Sequence, residues 1–529
     1  MTNDPASIVA ALRTLAVYAV CCVLAIILGV MMTNPLTYSS LGFVAVLCAA
    51  LFIPFLLRWH HPLMIFLWNA PIMAFFVKGD PKFCLVIITV SLIISIAERT
   101  LNQRRFINVP WITLPLLCLI GVIAITAKLT GGIGLHAFGS DVYGGKKYVF
   151  LIVGILGYFA MTSRHIPPEK AQKYVAYFFL GGALSIVGDF ASITPRFLQP
   201  IYWLIPPYGA SFDPGNFDVG TTRLVGTAWG AVALISGLIA RYGIRGIFLS
   251  GPLWRPVLFF ICIGLTLLGG FRSALIMVGL TCTLQFFLEG MHRTRLMPFF
   301  IILALAAAAA AIPMASKLPF TFQRTLAFLP ESAVHLSTDA RLAAEGSTQW
   351  RLDMWTALLP QIPKHLLLGK GYAISSDDLA LMGPDSAFHS SDAADQGLAV
   401  SSDYHSGPLS VILPFGIWGA IVFLWFTYVS IRVVYRNFRY GNPALQTINT
   451  FIFTSYVVSV FSFFFLAGGL ADGMLGFCGL LGLSISLNNG VCRAPVRPQK
   501  NIVFKHRPEL VRPQIRPAFQ RGAAGAHPQ

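Results

Sequence analysis

Long apolar runs separated by short polar breaks recur from residue 15 to residue 490. A helix needs about 20 mostly apolar residues to cross the hydrocarbon core of a bilayer, within a range of about 17–25. Fourteen runs approach that length, near 15–33, 38–57, 62–77, 83–97, 109–127, 148–162, 174–193, 224–240, 256–270, 273–288, 297–315, 406–431, 447–466 and 470–490. The first reads as a span and not as a cleavable signal. Arg13 is its only leading cation, and no small-x-small site closes it.

Three polar stretches are too long for simple turns: 128–147, 194–223 and 316–405. Loops of that length are usually functional or disordered. In the largest, residues 347–359 place Trp350, Met354 and Leu358 at helical spacing, with Arg351 and Trp355 one turn apart. That pattern predicts a helix lying on the outer membrane surface. Residues 372–402 are rich in Ser, Asp, Ala and Gly and read as a flap. No internal repeat is visible, which argues against a transporter built from repeats. The expected fold is an all-α polytopic membrane protein with about 14 transmembrane helices, N-in and C-in. Residues 1–14 form a cytoplasmic N-terminus, 15–315 hold helices 1–11, and 316–405 form one large periplasmic loop with short helices. Residues 406–490 hold helices 12–14, and 491–529 a basic, disordered cytoplasmic tail.

Composition agrees with that pattern. Only 11% of the 529 residues are charged and 56% are hydrophobic, whereas soluble domains average about 25% charged. An ordinary soluble protein and a disordered one are both excluded. The net charge of +17 could signal nucleic acid or an anionic membrane. With alternating spans, 24 of the 38 Lys and Arg fall inside, against 5 of the 21 acidic residues. The basic excess therefore follows the positive-inside rule and not a nucleic-acid surface. The proline-rich tail from Arg493 to Arg521 reads as a segment that touches anionic lipid. All nine cysteines lie in or at the end of apolar runs, with no CxxC spacing, so neither a disulfide framework nor a zinc site is expected.

Candidate chemistry gathers on the outer side. Arg272, in Gly269-Gly270-Phe271-Arg272-Ser273, has only a tight turn between two apolar runs to sit in. A charge there is either functional or a snorkelling interfacial arginine. Arg351 lies on the predicted surface helix, where a guanidinium can bind phosphate bidentately or pair with Asp353. His405 falls where the large loop re-enters the membrane and suits general-base, hydrogen-bonding or structural work. Arg223, Lys146, Lys147, His389 and Asp403 share the compartment as weaker candidates, the lysine pair as a steering charge. Gly369-Lys370-Gly371 lacks the spacing and setting of a phosphate loop. No HExxH, GxSxG or kinase motif occurs.

Three places, taken in order, resemble the bacterial O-antigen ligase and O-antigen polymerase family. The first is Phe271-Arg272-Ser273 at a short turn between spans. The second is Arg351-x-x-x-Trp355 followed by Gly369-Lys370-Gly371-Tyr372. The third is His405-Ser406-Gly407-Pro408 opening a span, then Pro414-Phe415-Gly416. The likeness covers about 255–430. Family members often carry Asn after the histidine, where this chain has Ser406, and the 372–402 stretch is longer than usual. The resemblance implies a metal-independent glycosyltransferase of the bacterial inner membrane, without cofactor. It implies a polyprenyl-diphosphate-linked glycan as donor and a sugar hydroxyl as acceptor. Arg272 and Arg351 would hold the diphosphate and His405 would serve the acceptor. Arg223, Lys146 and Lys147 would contribute to substrate binding, and flippase and chain-length regulator proteins would be partners.

Polymerase is favoured over ligation to lipid A–core, on the extra spans and the large flap. A mechanism with an acidic base in the first outer loop is disfavoured, because Thr33 to Ser40 holds no carboxylate. A transporter or flippase is the second alternative. It would place ionisable groups along the spans, yet away from the cytoplasmic face only Asp189 and Asp472 lie in or at the edge of one.

Overall fold

A computed structural model describes residues 38–77, 80–103, 106–131, 133–134, 144–191, 194–207, 223–294, 313–331, 334–374 and 404–494, with scattered residues between 14 and 29 and between 297 and 309. Contacts divide the chain into Met1–Arg493 and Ala494–Gln529, and only Ala494 of the second unit is described. The described residues are mostly helical. They contain no strand, only an isolated bridge between Met73 and Lys82.

The helices of more than four residues are α1 (Tyr38–Leu67), α2 (Phe83–Asn102), α3 (Pro110–Leu129), α4 (Gly145–Met161), α5 (Pro168–Leu180), α6 (Ser185–Asp189), α7 (Val225–Phe248), α8 (Trp254–Leu267), α9 (Arg272–Leu288), α10 (Phe320–Leu326), α11 (Thr338–Leu358), α12 (Gly407–Tyr440), α13 (Gln446–Phe465) and α14 (Leu470–Leu487). Six are long and apolar enough to cross a membrane: Phe83–Leu101, Pro110–Leu129, Val225–Phe248, Gly407–Tyr440, Pro443–Phe465 and Leu470–Leu487. Phe52–Leu67, Trp254–Leu267 and Arg272–Leu288 are shorter apolar helices. The expected spans at 15–33 and 297–315 lie largely outside the described residues, as do the flap at 372–402 and the tail beyond Ala494.

Three expected spans differ. The runs 38–57 and 62–77 are not separate spans meeting at Arg58, because α1 passes straight through that point. Arg58-Trp59-His60-His61 offers no turn-forming residue, and neighbouring helices take up both imidazoles. His60 Nδ1 pairs with Ser91 Oγ at 2.8 Å, and His61 Nε2 donates to the Met161 carbonyl at 3.1 Å. The apolar residues after Leu67 fold back instead, with Ala74 N–H donating to Pro81 O at 2.8 Å. The run 174–193 is also broken, into α5, a 3-10 turn (Gly181–Leu184) and α6. Asp189 ends α6 and caps α7, its carboxylate accepting from Gly226 N at 3.0 Å and Thr227 N at 2.5 Å. A helix cap, not ion coupling, accounts for that buried-run carboxylate.

Segments that alternation assigns to one side meet one another. At one end Ile107 N–H donates to Thr162 O at 3.1 Å, Ile166 N–H donates to Ser486 O at 3.0 Å, and Arg164 pairs with Glu98. At the other, Lys82 pairs with Asp472 at 2.9 Å, and Met73 N–H donates to Leu204 O at 2.7 Å. α14 is the most enclosed candidate span, 78% buried against 33% for α2. It packs along α4, with Trp68 wedged beside both. The Trp68 indole N–H donates to Leu475 O at 3.2 Å. A methyl on Gly479 would lie 2.3 Å from that indole nitrogen. Rings cannot yield as flexible chains do, so Gly479→Ala should destabilise the bundle by ~1–3 kcal/mol. The expected result is a lowered unfolding midpoint of the detergent-purified protein, and an unchanged midpoint would show that the contact does not matter.

Candidate active site

The turn between α8 and α9 is drawn tight by Gly270, whose φ of 65° suits glycine. Leu224 N–H donates to Leu268 O at 3.2 Å, which ties the start of α7 to the same turn. Arg223 therefore sits over it, its Nε donating to Gly269 O at 3.1 Å and its guanidinium 4.2 Å above the Phe271 ring. Arg272 is the first residue of α9. A cation at a helix N-terminus opposes the macrodipole, at a cost of about 0.3–1 kcal/mol.

The helix expected at 347–359 exists as α11, longer than that pattern suggested. Ser337 caps it, its Oγ accepting from Ala340 N at 3.4 Å, and Gln323 Oε1 in turn accepts from Ser337 N at 2.7 Å. That second bond anchors α11 to α10, which carries Arg324. Arg272 reaches across to α11, donating to Ala344 O at 2.9 Å and Thr348 Oγ1 at 3.1 Å. Arg351 is one turn beyond Thr348 on that face, and its charge acts on Arg272, as does that of Arg324.

Four guanidiniums thus face one region. Burial, and then the charge of Arg324, pull Arg223 down to about 10, well below the ordinary guanidinium range. Burial lowers Arg324 as well. Among the described residues no carboxylate pairs with Arg223, Arg324 or Arg351. The alternative partner of Arg351, Asp353, instead accepts from Gln349 Nε2 at 2.7 Å. A phosphate-sized anion would relieve the mutual repulsion.

His405 is joined to this region through α11. The Trp355 indole donates to Tyr404 O at 3.0 Å, one turn after Arg351. Met354 and Leu358 pack with Tyr404, Leu409 and Leu413 in a small apolar cluster. His405 itself has φ 45°, a conformation uncommon outside glycine, at a residue that follows a pinned carbonyl. Beside it, Trp355, Leu359, Ser406, Leu409, Phe423 and Phe463 border an apolar groove of about 450 Å³.

The Gly-x-Gly element has a backbone role. α12 is broken at Gly416 (φ 61°, ψ −159°), a region open essentially to glycine alone, after Pro414. The break frees backbone groups, and the chain after α11 meets them. Lys370 N–H donates to Leu413 O at 2.7 Å, Gly371 N–H to Pro414 O at 2.9 Å, and Ile417 N–H to Leu366 O at 2.7 Å. Tyr372 N–H then donates to Tyr148 Oη at 2.9 Å. The second and third motifs therefore dock onto each other.

Of the sequence candidates, Arg272, Arg351 and Arg223 come together, and His405 is linked to them by α11. Lys146 and Lys147 do not join the arginines. They open α4, where Lys147 lies 5.8 Å above the Tyr372 ring, on the Gly-x-Gly side. His389 and Asp403 lie outside the described residues. Arg324 was missed, since nothing in Phe320–Leu326 marks it apart from other loop cations. Among the described residues no three His, Cys, Asp or Glu side chains gather as metal ligands.

Gly416→Ala would put a methyl 2.5 Å from Leu366 O in a backbone region closed to alanine. A loss of about 2 kcal/mol or more is expected, with faster proteolysis within 338–371 as the measure. Wild-type protease resistance in this variant would show that the docking does not hold the loop.

Comparison with known proteins places a family likeness on this region. No curated protein matches the chain. Residues 257–424, however, match the family model described as O-antigen ligase. That segment holds Arg272, Arg324, Arg351 and His405 together with the Gly416 break, and it supports the bacterial O-antigen ligase and polymerase family as the one to which this part of the chain is related.

Proposed function

We propose that this membrane protein transfers a glycan from a polyprenyl diphosphate to a sugar hydroxyl at the periplasmic face of the bacterial inner membrane. The family match implies glycosyl transfer of the O-antigen ligase and polymerase type. The arginine cluster beside an apolar groove is the observation that carries the finer reading. A lipid-borne diphosphate combines a multiply charged head with a hydrocarbon tail, and these two features lie side by side.

In this reading the acceptor oxygen attacks the anomeric carbon as the bond from that carbon to the phosphate oxygen breaks. Charge grows on the departing diphosphate. Arg272 and Arg351 neutralise it without rearranging, with Arg324 and Arg223 adding to the field. His405 orients the acceptor hydroxyl and takes its proton, and one direct displacement inverts the anomeric centre. No metal is needed where guanidiniums meet the diphosphate. The groove by Trp355 and Phe463 receives the first prenyl units, and Lys146 and Lys147 steer the anionic donor from the far side of the clasp.

Polymerisation is the favoured outcome, because the long 372–402 insertion could seat a growing chain. Ligation to lipid A–core is the second reading, favoured by the description of the matched family.

A deletion strain complemented with variants tests the site. Arg272→Ala and His405→Asn should lower glycan transfer by about 10²–10³-fold while the protein stays inserted. Asparagine at 405 tolerates the positive φ, so a loss there reports on the imidazole. Arg351→Lys should also be severe, since a point charge lacks the bidentate fork. Unimpaired polymer from these variants would dismiss the assignment. Surface glycan from the uncomplemented strain separates the two readings. Single repeat units still on lipid A–core indicate a polymerase, and bare lipid A–core indicates a ligase.

A further inference from the structure

At the opposite end of α12 from His405 lies a second cavity, of about 600 Å³, where α3 begins and the chain leaves α14. From the Gly416 break to Arg432 is about 24 Å of helix, at 1.5 Å per residue. Arg432, Arg436 and Arg493 line it, and among the described residues no Asp or Glu does. Arg432 and Arg436 are four apart and share one face of α12. One and two turns before Arg432 on that face come Tyr428 and Trp425, and Trp111 joins them from α3. All three rings are exposed, on helices long enough to cross a membrane, with Trp111 at 70% and Tyr428 at 65%.

The third arginine is placed by design of the chain, not left trailing. After α14 the backbone reverses through Asn489 (φ 52°) and Gly490 (φ 118°). Asn437, fully buried on α12, holds the reversed segment. Its Nδ2 donates to Gly490 O at 3.2 Å and Ser484 Oγ at 3.0 Å, and its Oδ1 accepts from Cys492 N at 2.9 Å. Arg493 is thereby brought to the same cavity as Arg432 and Arg436. Three neighbouring cations, with no carboxylate in the lining among the described residues, favour an anion. A small soluble anion would use the guanidiniums but leave the aromatic wall unexplained. Interfacial Trp and Tyr lie at headgroup level, and basic pockets between spans hold acidic headgroups.

We propose that this cavity binds an anionic phospholipid. Its phosphodiester rests on Arg432, Arg436 and Arg493, and its acyl chains run along Trp111, Trp425 and Tyr428. The proposal is independent of the glycosyl-transfer reading and depends only on the bundle being in a membrane.

Native mass spectrometry of the full-length detergent-solubilised protein tests it, with phosphatidylglycerol and phosphatidylethanolamine of matched chains as probes and inorganic phosphate as competitor. Wild-type protein should retain one more phosphatidylglycerol than Arg432→Gln/Arg436→Gln/Arg493→Gln. The corresponding triple Lys variant should keep it, which separates charge from misfolding. Trp425→Ala/Tyr428→Ala should hold the lipid several-fold more weakly. Equal retention by wild type and the Gln variant would overturn the proposal, as would equal retention of phosphatidylethanolamine. Full displacement of the lipid by millimolar phosphate would identify a soluble-anion site and overturn it too. If the triple Gln variant does not purify as a monodisperse species, Arg432→Gln/Arg436→Gln supports the same comparison.

Discussion

A helix broken inside a membrane domain leaves amides and carbonyls that no water can satisfy, at several kcal/mol each. In this protein the break at Gly416 is tolerated because Leu366, Lys370 and Gly371 supply the missing partners. That exchange of backbone bonds is the constraint on which the arrangement of the site depends. It fixes where the chain emerging from α11 must lie. With the Trp355–Tyr404 bond and the Met354–Leu413 cluster, it holds α11 across the mouth of the bundle. Arg351 is placed by α11, and Arg272 is held by hydrogen bonds to it, so the cluster inherits its geometry from a clasp some residues away.

The arginines themselves are arranged against local electrostatics. Arg272 begins a helix, Arg223 and Arg324 repel each other, and burial weakens the solvation of both. Such an arrangement adds nothing to fold stability, and in the proposed function its cost is offset by the diphosphate. Elsewhere the structure meets exposed backbone donors with carboxylates. Asp189 caps α7, and at the break at Gly243 the Glu289 carboxylate accepts from Ile244 N and Arg245 N. Carboxylates are used freely to satisfy helix ends elsewhere. None pairs with Arg223, Arg324 or Arg351 among the described residues.

Apolar runs and lone polar residues made part of this legible in the sequence. The tight turn at Gly269–Phe271, the α12–α14 hairpins and the helix α11 were all visible as pattern, because each depends on local spacing. Arg272 and His405 stood out because charge and imidazole are scarce beside apolar runs. Arg324 did not, because its position depends on Gln323 holding the cap of α11, a contact without local signature. The reading of 38–57 and 62–77 as two spans failed because hydropathy does not register that His60 and His61 find partners on α2 and α4. The run 406–431 was read as continuous through the break at Gly416, since the partners of its freed backbone groups come from a distant segment.

The clasp also determines where this polypeptide can change length. The stretch from Leu366 to Gly371 meets α12 bond for bond, so a single insertion or deletion there would shift every partner by one position. The last of those bonds is made by Tyr372, so extra sequence can accumulate between Ala373 and Tyr404 without disturbing them. Divergence among related chains in this portion should therefore be concentrated after the tyrosine that follows the Gly-x-Gly. Exchange of the segment between α9 and α12 among such chains should succeed only when its boundaries carry the Gly416 break along with the helix that docks on it.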